Sequence, residues 1–239
     1  MGYEYMSEGI NWKGNVLDAD GINFQSRYTA EIPEGTSNDY SVIHCDSTNE
    51  DSWHGIFPDY VKAKKEFPHL QKYTLLVKDG HNYPFMQDSY SEFEEHQWLW
   101  DNASGDVLIG GLGLGMVNEA LIRNDSVTSV TILEISQDVI DLVWPHCSKD
   151  DRFTLVKCDA ETWEIPEGSQ WDTIFLDCWT FDNPKNPVTW KQDMTTKYSP
   201  CTSNLGFYGT YRGLSQYYEI NSETGILEAR TPNICRPWL

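Results

Sequence analysis

A glycine-rich turn between two apolar segments limits the fold of this chain more than any other part of the sequence. It lies in the stretch GDVLIGGLGLGM, where residues 107–109 have the composition of a buried strand and residues 116–123 have apolar side chains at helical spacing. Because Gly111, Gly113 and Gly115 lack side chains, the backbone there can approach a ligand closely. Such a turn also forms for packing alone, so its sequence does not decide between the two roles.

Strands and helices alternate after this turn. Residues 127–133 and 153–156 have the composition of buried strands, and residues 171–176 predict one more. Ser136 is in place to cap a helix that follows the second strand. This alternation is typical of parallel α/β winding. We therefore predict an α/β, Rossmann-like domain with a mostly parallel sheet and a C-terminal hairpin over residues 101–239.

Weaker patterns precede this domain. Turn sequences at residues 18–21, 33–35 and 79–80 separate short β-branched stretches such as residues 73–77, and they predict hairpins. A helix is predicted at about residues 89–100, where aromatic side chains recur at near-helical spacing. We therefore expect residues 1–100 to form a small β-rich N-terminal extension that ends in a helix.

The pattern is also weaker after Asp177. Residues 182–187 predict a proline-broken loop, and residues 205–211 predict one further strand. Residues 217–220 and 226–229 predict the strands of the C-terminal hairpin.

The charge of the chain argues against one class of partner. The formal net charge is −20 at pH 7, so a phosphate backbone is repelled within a Debye length and no nucleic-acid partner is expected. The expected substrate is a small molecule, neutral or cationic. The six cysteines form no C-x-x-C pair, and residues 18–21 are too short for a calcium loop, so no metal site is predicted.

The apolar segments bear on location. The longest apolar run, residues 107–116, is too short to cross a membrane, so no membrane partner is expected. The first residues lack the basic start and apolar stretch of a secretory signal, which predicts a cytoplasmic protein. The sequence leaves a homo-oligomer open.

Three acids are predicted at the carboxyl ends of successive strands, where open α/β sheets bind their ligands. Glu134 ends the second strand, 19 residues after Gly115, and an acid there can accept two hydrogen bonds from a ribose diol. Asp159 follows the third strand and can accept from an adenine amino group, with the Ala160 amide facing a ring nitrogen. The alternative for Asp159 is to cap the next turn. Asp177 ends the fourth strand and can bind the ligand, hold an acceptor amine or take a proton.

The turn and the acids together favour one cofactor. The G-x-G-x-G spacing and its position in the middle of the chain favour S-adenosylmethionine over a dinucleotide, and NAD stays an alternative.

Four stretches of the sequence carry a family resemblance. VLIGGLGLGM, VTILEISQDVIDLV, DDRFTLVKCDAETW and WDTIFLDCW resemble the spermidine synthase branch of the class I methyltransferase-like proteins over residues 107–179. The likeness is greatest to phage and bacterial proteins described as class I S-adenosylmethionine-dependent methyltransferases. It extends upstream to Met86, Asp88, Glu92 and His96 and, faintly, downstream to Lys197-Tyr198.

The resemblance implies roles for individual residues. The implied cofactor contacts are Gly111, Leu112, Gly113, Gly115, Glu134, Ile135, Asp159, Ala160 and Asp177. Asp177 also matches the position of the aminopropyltransferase base and is the predicted catalytic residue. Two positions depart from the synthases, which have an Asp where this chain has Leu114 and a second Asp where it has Thr180.

Four residues are predicted to shape the acceptor site: Trp179, Asp88, Glu92 and His96. Trp179 can stack on a cationic or planar group, or it can belong to the core. His96 can be a buried, hydrogen-bonded helix residue or a substrate contact.

Three functions follow from these residues. The first is a methyltransferase that holds the sulfonium methyl and a small or cationic acceptor in line. The second is a spermidine synthase-like aminopropyltransferase that uses decarboxylated S-adenosylmethionine in polyamine synthesis, with Leu114 as the objection. The third is a protein that binds or sequesters the cofactor without transfer, as a phage protein could do in its host's cytoplasm.

Overall fold

The structure is a computed structural model that describes residues 29–46, 72–81, 84–88, 92, 95–180, 182–209, 218–220 and 227–229. The α-helices are α1 (Gln97–Asn102), α2 (Met116–Leu121), α3 (Gln137–Val143) and α4 (Pro187–Tyr198). The strands are β1 (Gly35–Ser37), β2 (Tyr40–Asp46), β3 (Lys72–Lys78), β4 (Met86–Gln87), β5 (Gly105–Gly110), β6 (Val127–Glu134), β7 (Phe153–Lys157), β8 (Thr173–Leu176), β9 (Leu205–Phe207), β10 (Tyr218–Ile220) and β11 (Leu227–Ala229).

The chain divides into two compact units whose segments interleave along the sequence. The first unit comprises Met1–Tyr90, Leu112–Arg123 and Ser136–Asp150. The second unit comprises Ser91–Gly111, Asn124–Ile135 and Asp151–Leu239.

The first unit contains an antiparallel sheet in the order β1-β2-β3-β4, together with α2 and α3. The turn predicted at residues 79–80 follows β3, as expected. The β1–β2 turn lies at Asn38-Asp39 and not at residues 33–35. Asn38 has a positive φ of 45° there, which asparagine tolerates in tight turns. The turn predicted at residues 18–21 lies outside the described residues.

The helix predicted after the second strand of the α/β region begins where the sequence indicated. The Ser136 side chain accepts a hydrogen bond from the Val139 amide at 3.3 Å, which caps α3. A short 3-10 helix, Trp144–His146, follows α3 and contains Pro145. The predicted cap is therefore confirmed.

The second unit contains a five-stranded sheet in the order β7-β6-β5-β8-β9, in which all neighbouring strands are parallel. Val107, Leu108 and Ile109 at its centre are fully buried, as expected of a strand covered on both faces. The strand order reverses between β5 and β8. This is the switch point of a Rossmann-like α/β fold, and ligands of open α/β sheets bind outside the carboxyl ends of such strands.

Two helices pack on this sheet within the second unit. On one face, Trp190 and Met194 of α4 join Ile174 and Leu176 of β8 in a buried apolar cluster. Phe175 points to the opposite face because side chains alternate along a strand. There it stacks on the Trp98 ring of α1, with 6.1 Å between the ring centroids.

The outcome for the predicted elements is mixed. The strands at residues 107–109, 127–133 and 153–156 and the C-terminal hairpin are confirmed. The strand predicted at residues 171–176 begins at Thr173, and the one predicted at residues 205–211 ends at Phe207. Glu92 and Glu95 are helical and precede α1 within the predicted helix, of which residues 89–91 and 93–94 lie outside the described residues. Helix α4 was not predicted.

The prediction of an α/β, Rossmann-like fold with a mostly parallel sheet is confirmed by this topology. Among the described residues, no helix has both the length and the apolar character needed to cross a membrane.

Candidate functional site

Three acids of the second unit, Glu134, Asp159 and Asp177, lie at the carboxyl edge of the parallel sheet. Burial raises the pKa of the Cys178 thiol well above its usual value, and the negative charges of Asp177, Glu134 and Asp159 raise it further. Because β6, β7 and β8 are parallel strands of one sheet, the acids that end or follow them lie at the same edge of that sheet, beside the switch point.

Gly111 follows β5 directly, and its backbone lies close to the backbone at the end of β8. Its φ of 105° lies in the left-handed region, and a Cβ there would lie 2.3 Å from the Asp177 carbonyl oxygen. The Asp177 amide donates to the Gly110 carbonyl at 2.8 Å, which continues the β5–β8 pairing. Only glycine fits at Gly111, and its backbone therefore sets the position of Asp177.

The other two glycines of the turn belong to the first unit and have protein neighbours there. A Cβ on Gly113 would lie 2.0 Å from the Met86 sulfur, and one on Gly115 would lie 2.3 Å from the Cys147 sulfur. These contacts and the positive φ of both residues, 53° and 71°, favour glycine at the two positions without a ligand. Leu112 and Leu114 of the same turn are buried, and the Leu114 amide donates to the Met86 sulfur at 2.8 Å.

Glu134 and Ile135 follow each other at the end of β6 and differ sharply in exposure. Glu134 is buried, and its backbone carbonyl accepts from the Cys158 amide at 3.0 Å. The Ile135 side chain is 62% exposed, which is unusual for a large aliphatic group. An exposed apolar side chain beside a buried acid suits contact with a ligand that has both a planar ring and hydroxyl groups.

Asp159 caps the turn that follows β7. One carboxylate oxygen accepts from the Glu161 amide at 2.8 Å, and the other accepts from the Thr162 hydroxyl at 3.2 Å. The capping role considered for Asp159 is therefore present. A carboxylate offers about four lone-pair positions, so these two bonds leave room for a further donor such as an amino group.

The backbone after Asp159 is fixed by the last turn of α4. The Tyr198 hydroxyl donates to the Ala160 carbonyl at 2.8 Å. The Lys197 ammonium donates to the same carbonyl at 3.0 Å and to the Glu161 carbonyl at 2.8 Å. Burial lowers the pKa of Lys197. Two side chains of α4 thus hold two successive carbonyl groups beside Asp159.

The loop after β8 is tied down at several points. The Trp179 indole donates to the Lys185 carbonyl at 3.0 Å, and its ring packs against the apolar cluster beneath the sheet. The Lys185 ammonium lies 2.9 Å from a Glu161 oxygen and 2.8 Å from an Asp193 oxygen. The Asn183 side-chain amide also donates to Glu161. These contacts give Trp179 a structural role, and its contact with an acceptor stays a prediction.

A buried histidine pairs with the acid at the end of β8. His96 is 1% exposed, and its Nε2 lies 3.1 Å from Asp177 Oδ2, whereas the Asp177 side chain is 25% exposed. The His96 Nδ1 lies 2.8 Å from the Glu92 backbone carbonyl. The imidazole ring stacks on Trp100, with 5.4 Å between the centroids. His96 is therefore a buried, hydrogen-bonded residue that holds Asp177 in place.

Several ionisable groups lie around this histidine. Burial lowers the pKa of His96, but the hydrogen bond and charge of Asp177 outweigh it, together with Glu92, and raise the pKa to about 9. Burial raises the pKa of Glu92 to about 8 against the opposing charge of His96, and Asp177 and Glu95 raise it too. Tyr208 forms side-chain hydrogen bonds with Glu92 and Glu95. At neutral pH these pKa values make His96 mostly protonated and charged, and Glu92 mostly protonated and uncharged.

Asp88 has a structural contact in the first unit. It is 1% exposed, and its carboxylate accepts from the Thr74 amide at 2.6 Å. The Asp88 amide donates to the Thr74 carbonyl at 3.1 Å, so the residue continues the pairing of β3 with β4. Its assignment to the acceptor site stays a prediction.

Two features of the site were not predicted as such. The pairing of His96 with Asp177 joins helical and strand segments that are remote in sequence. The i, i+4 spacing of Glu92 and His96 was the available signal, because it places both on one helix face. The contacts of Lys197 and Tyr198 depend on α4, which was itself not predicted.

No protein-family profile and no curated protein sequence matches this chain. Its structure is similar to that of a Pyrococcus horikoshii protein assigned as an RNA methyltransferase, with 15% identity, a TM-score of 0.36 and coverage of 46% of this chain and 56% of that one. It is also similar to a dimethyladenosine transferase from Plasmodium falciparum, with 14% identity, a TM-score of 0.36 and coverage of 50% of this chain and 42% of that one. A spermidine synthase in complex with the transition-state analogue AdoDATO has 14% identity and a TM-score of 0.43, with coverage of 73% of this chain and 55% of that one. The likeness spans about half the length of these proteins.

Proposed function

We propose that this protein is an S-adenosylmethionine-dependent transferase, and that the group it transfers is the methyl group. The observation that carries the proposal is the set of three carboxylates that end or follow β6, β7 and β8 at one edge of the parallel sheet, beside the switch point. An adenosyl ligand presents a ribose diol, an adenine amino group and a cationic sulfonium, and each can be bound by an acid.

Each acid has a distinct part in the proposed site. Glu134 accepts from the ribose hydroxyls, and the exposed Ile135 covers the adenine ring. Asp159 accepts from the adenine amino group, with Ala160 beside it. Asp177 faces the sulfonium end and the acceptor. The turn residues Gly111, Leu112, Gly113 and Gly115 are proposed to contact the methionine portion.

Methyl transfer asks little of acid-base chemistry, because it depends mainly on holding donor and acceptor in line at close range. Asp177 is the proposed catalytic residue, which orients the acceptor or takes its proton. His96 is a positioning residue that donates to Asp177. The carboxyl groups of Asp177 and Glu92 beside His96 favour a small neutral or cationic acceptor, with Glu92 in the acceptor site.

The second candidate is aminopropyl transfer from decarboxylated S-adenosylmethionine. The carboxyl groups of Glu92 and Asp177 can also bind a diamine, which favours aminopropyl transfer. Leu114, however, stands where the synthases have an acid, and it is fully buried. An amine has no acid to pair with at that position, so we place methyl transfer first. Binding of the cofactor without transfer is the third candidate.

A transfer assay with both donors separates these functions. The purified protein would be incubated with labelled S-adenosylmethionine, and separately with its decarboxylated form, over a panel of amines, amino acids and hydroxyl compounds. We expect methyl transfer to at least one acceptor, reduced about 100-fold or more in Asp177→Asn and unchanged in Asp182→Asn, an exposed acid of the next loop. Aminopropyl transfer to putrescine would establish the second candidate. Tight donor binding without turnover would establish the third, and no binding of either donor would refute the proposal.

A further inference from the structure

Three potential metal ligands converge on the side of the sheet where His96 meets Asp177. One ligand atom from each of Glu92, His96 and Asp177 lies within 4.8 Å of the other two. The separation of 3.1 Å between His96 Nε2 and Asp177 Oδ2 suits two ligands bound to one ion at about 2.0–2.2 Å and a near-right angle.

The hydrogen-bond partners of His96 require a proton or a cation between its Nε2 and the Asp177 carboxylate. Its Nδ1 faces the Glu92 backbone carbonyl at 2.8 Å, and a carbonyl only accepts, so Nδ1 carries a hydrogen. In the neutral ring Nε2 then presents a lone pair to the Asp177 carboxylate, which also only accepts. Two acceptors at 3.1 Å repel each other, so Nε2 carries a proton in the metal-free chain, and a bound metal ion would take the place of that proton.

We propose that Glu92, His96 and Asp177 bind one divalent first-row transition-metal ion such as Zn²⁺, Mn²⁺ or Co²⁺. One imidazole nitrogen with two carboxylates suits these ions better than Ca²⁺ or Mg²⁺, which prefer oxygen ligands alone. The proposal goes beyond the transferase proposed above and does not depend on it.

The surroundings of the three ligands fit a metal site. The hydrogen bond from Nδ1 to a backbone carbonyl is the contact that commonly orients a metal-binding histidine. The rings of Trp100 and Phe175 lie against the imidazole, with centroids at 5.4 and 5.5 Å, and give it an apolar surrounding. The Asp177 side chain is 25% exposed, so an ion has access from solvent and keeps coordination positions for water or an acceptor atom.

Metal binding can be measured directly on the full chain. The protein would be freed of metal with a chelator, dialysed, and titrated calorimetrically with Zn²⁺, with Co²⁺ followed in parallel by its visible absorption. We expect one ion per chain, and Co²⁺ absorption bands typical of bound nitrogen and oxygen ligands. His96→Gln and Asp177→Asn should each weaken binding at least about 100-fold, and Glu92→Gln about 10-fold. His146→Gln removes an exposed histidine and should leave the affinity unchanged.

Folding of the variants is checked independently. Far-ultraviolet circular dichroism and the unfolding midpoint would be recorded for each, and Asp177→Asn is the most informative because that side chain is partly exposed. Zn²⁺ should also raise the unfolding midpoint of the unaltered chain and not that of His96→Gln.

Two results would overturn the proposal. One is the absence of saturable one-to-one metal binding to the unaltered chain. That result would mean that His96 Nε2 and Asp177 Oδ2 share a proton and do not bind an ion. The other is equal affinity in a folded His96→Gln or Asp177→Asn variant. Binding of S-adenosylhomocysteine after chelator treatment tests the transferase proposal separately, so either proposal can fail without the other.

Discussion

The ends of β7 and β8 lie on the same edge of one parallel sheet, but they hold their acids in different ways. At the end of β7, backbone and hydroxyl donors bond both Asp159 oxygens, and Lys197 and Tyr198 fix the next two carbonyl groups. At the end of β8, Asp177 pairs with a buried histidine inside a cluster of carboxylates. The first arrangement fixes the backbone, which suits binding. The second places an ionisable pair at the strand end, where we propose that the acceptor is bound.

The largest effect is expected at Gly111, whose backbone lies against the end of β8. Gly111→Ala should lower the free energy of unfolding by at least about 3 kcal/mol, because its Cβ would lie 2.3 Å from the Asp177 carbonyl oxygen. Gly168→Ala is the matched control, since Gly168 also has a positive φ of 79° but no atom within 4 Å, and it should cost only about 1 kcal/mol. Urea denaturation measures both. Equal costs would mean that the contact with β8 is not tight.

The next effect separates chemistry from binding. Asp177→Asn should slow transfer about 100-fold while changing the affinity for S-adenosylhomocysteine less than about threefold. Asp159→Asn should weaken that affinity about 10-fold, because a hydrogen bond to a charged group contributes about 1.5–3 kcal/mol. Steady-state kinetics and calorimetry on the two variants provide the comparison. If the two variants showed the same changes in transfer rate and in affinity, the ends of β7 and β8 would not differ in function.

A smaller effect is expected at the contacts that fix the β7 end. Tyr198→Phe removes one of the two donors to the Ala160 carbonyl, and Lys197→Met removes the other. Each should weaken S-adenosylhomocysteine binding about 3- to 10-fold, in line with about 1 kcal/mol for one hydrogen bond. Tyr40→Phe in the first unit is the matched loss of a hydroxyl and should have no effect on affinity. Unchanged affinity in both α4 variants would show that the Ala160 backbone does not position the ligand.

The smallest effect is expected for the exposed ion pairs of the loop after β8. Lys185→Met removes contacts with Glu161 and Asp193, but ion pairs in contact with solvent contribute little to stability. The unfolding midpoint should be unchanged within error. A large loss would mean that this loop, and with it Trp179, depends on Lys185.

Much of the fold was predictable from local patterns. Buried strands such as residues 107–109 carry apolar side chains on both faces, and Ser136 marks a helix start by its own hydrogen bond. Helix α4 was missed although Asn186-Pro187 is a strong start signal: Asn186 accepts from the Val188 and Thr189 amides, and proline is favoured in the first turn. Prolines and polar residues around it suggested a loop, and only burial of Trp190, Met194 and Tyr198 against the sheet decides the matter.

The candidate site was predictable where it follows strand ends and not where it depends on tertiary contacts. Glu134, Asp159 and Asp177 were assigned because parallel strands end at one edge. The pairing of His96 with Asp177 joins separate segments, and no local pattern encodes its 3.1 Å separation. Kinship with phage proteins, a cytoplasmic location and the acceptor stay predictions.

The central claim is that the carboxyl edge of the parallel sheet binds an adenosyl group, and titration calorimetry with S-adenosylhomocysteine tests it most directly. We predict saturable one-to-one binding that is at least about 10-fold weaker in Glu134→Gln, which loses the charged acceptor for the ribose, and unchanged in Glu167→Gln, an exposed matched control. No binding to the unaltered chain, or equal binding by folded Glu134→Gln, would contradict the claim.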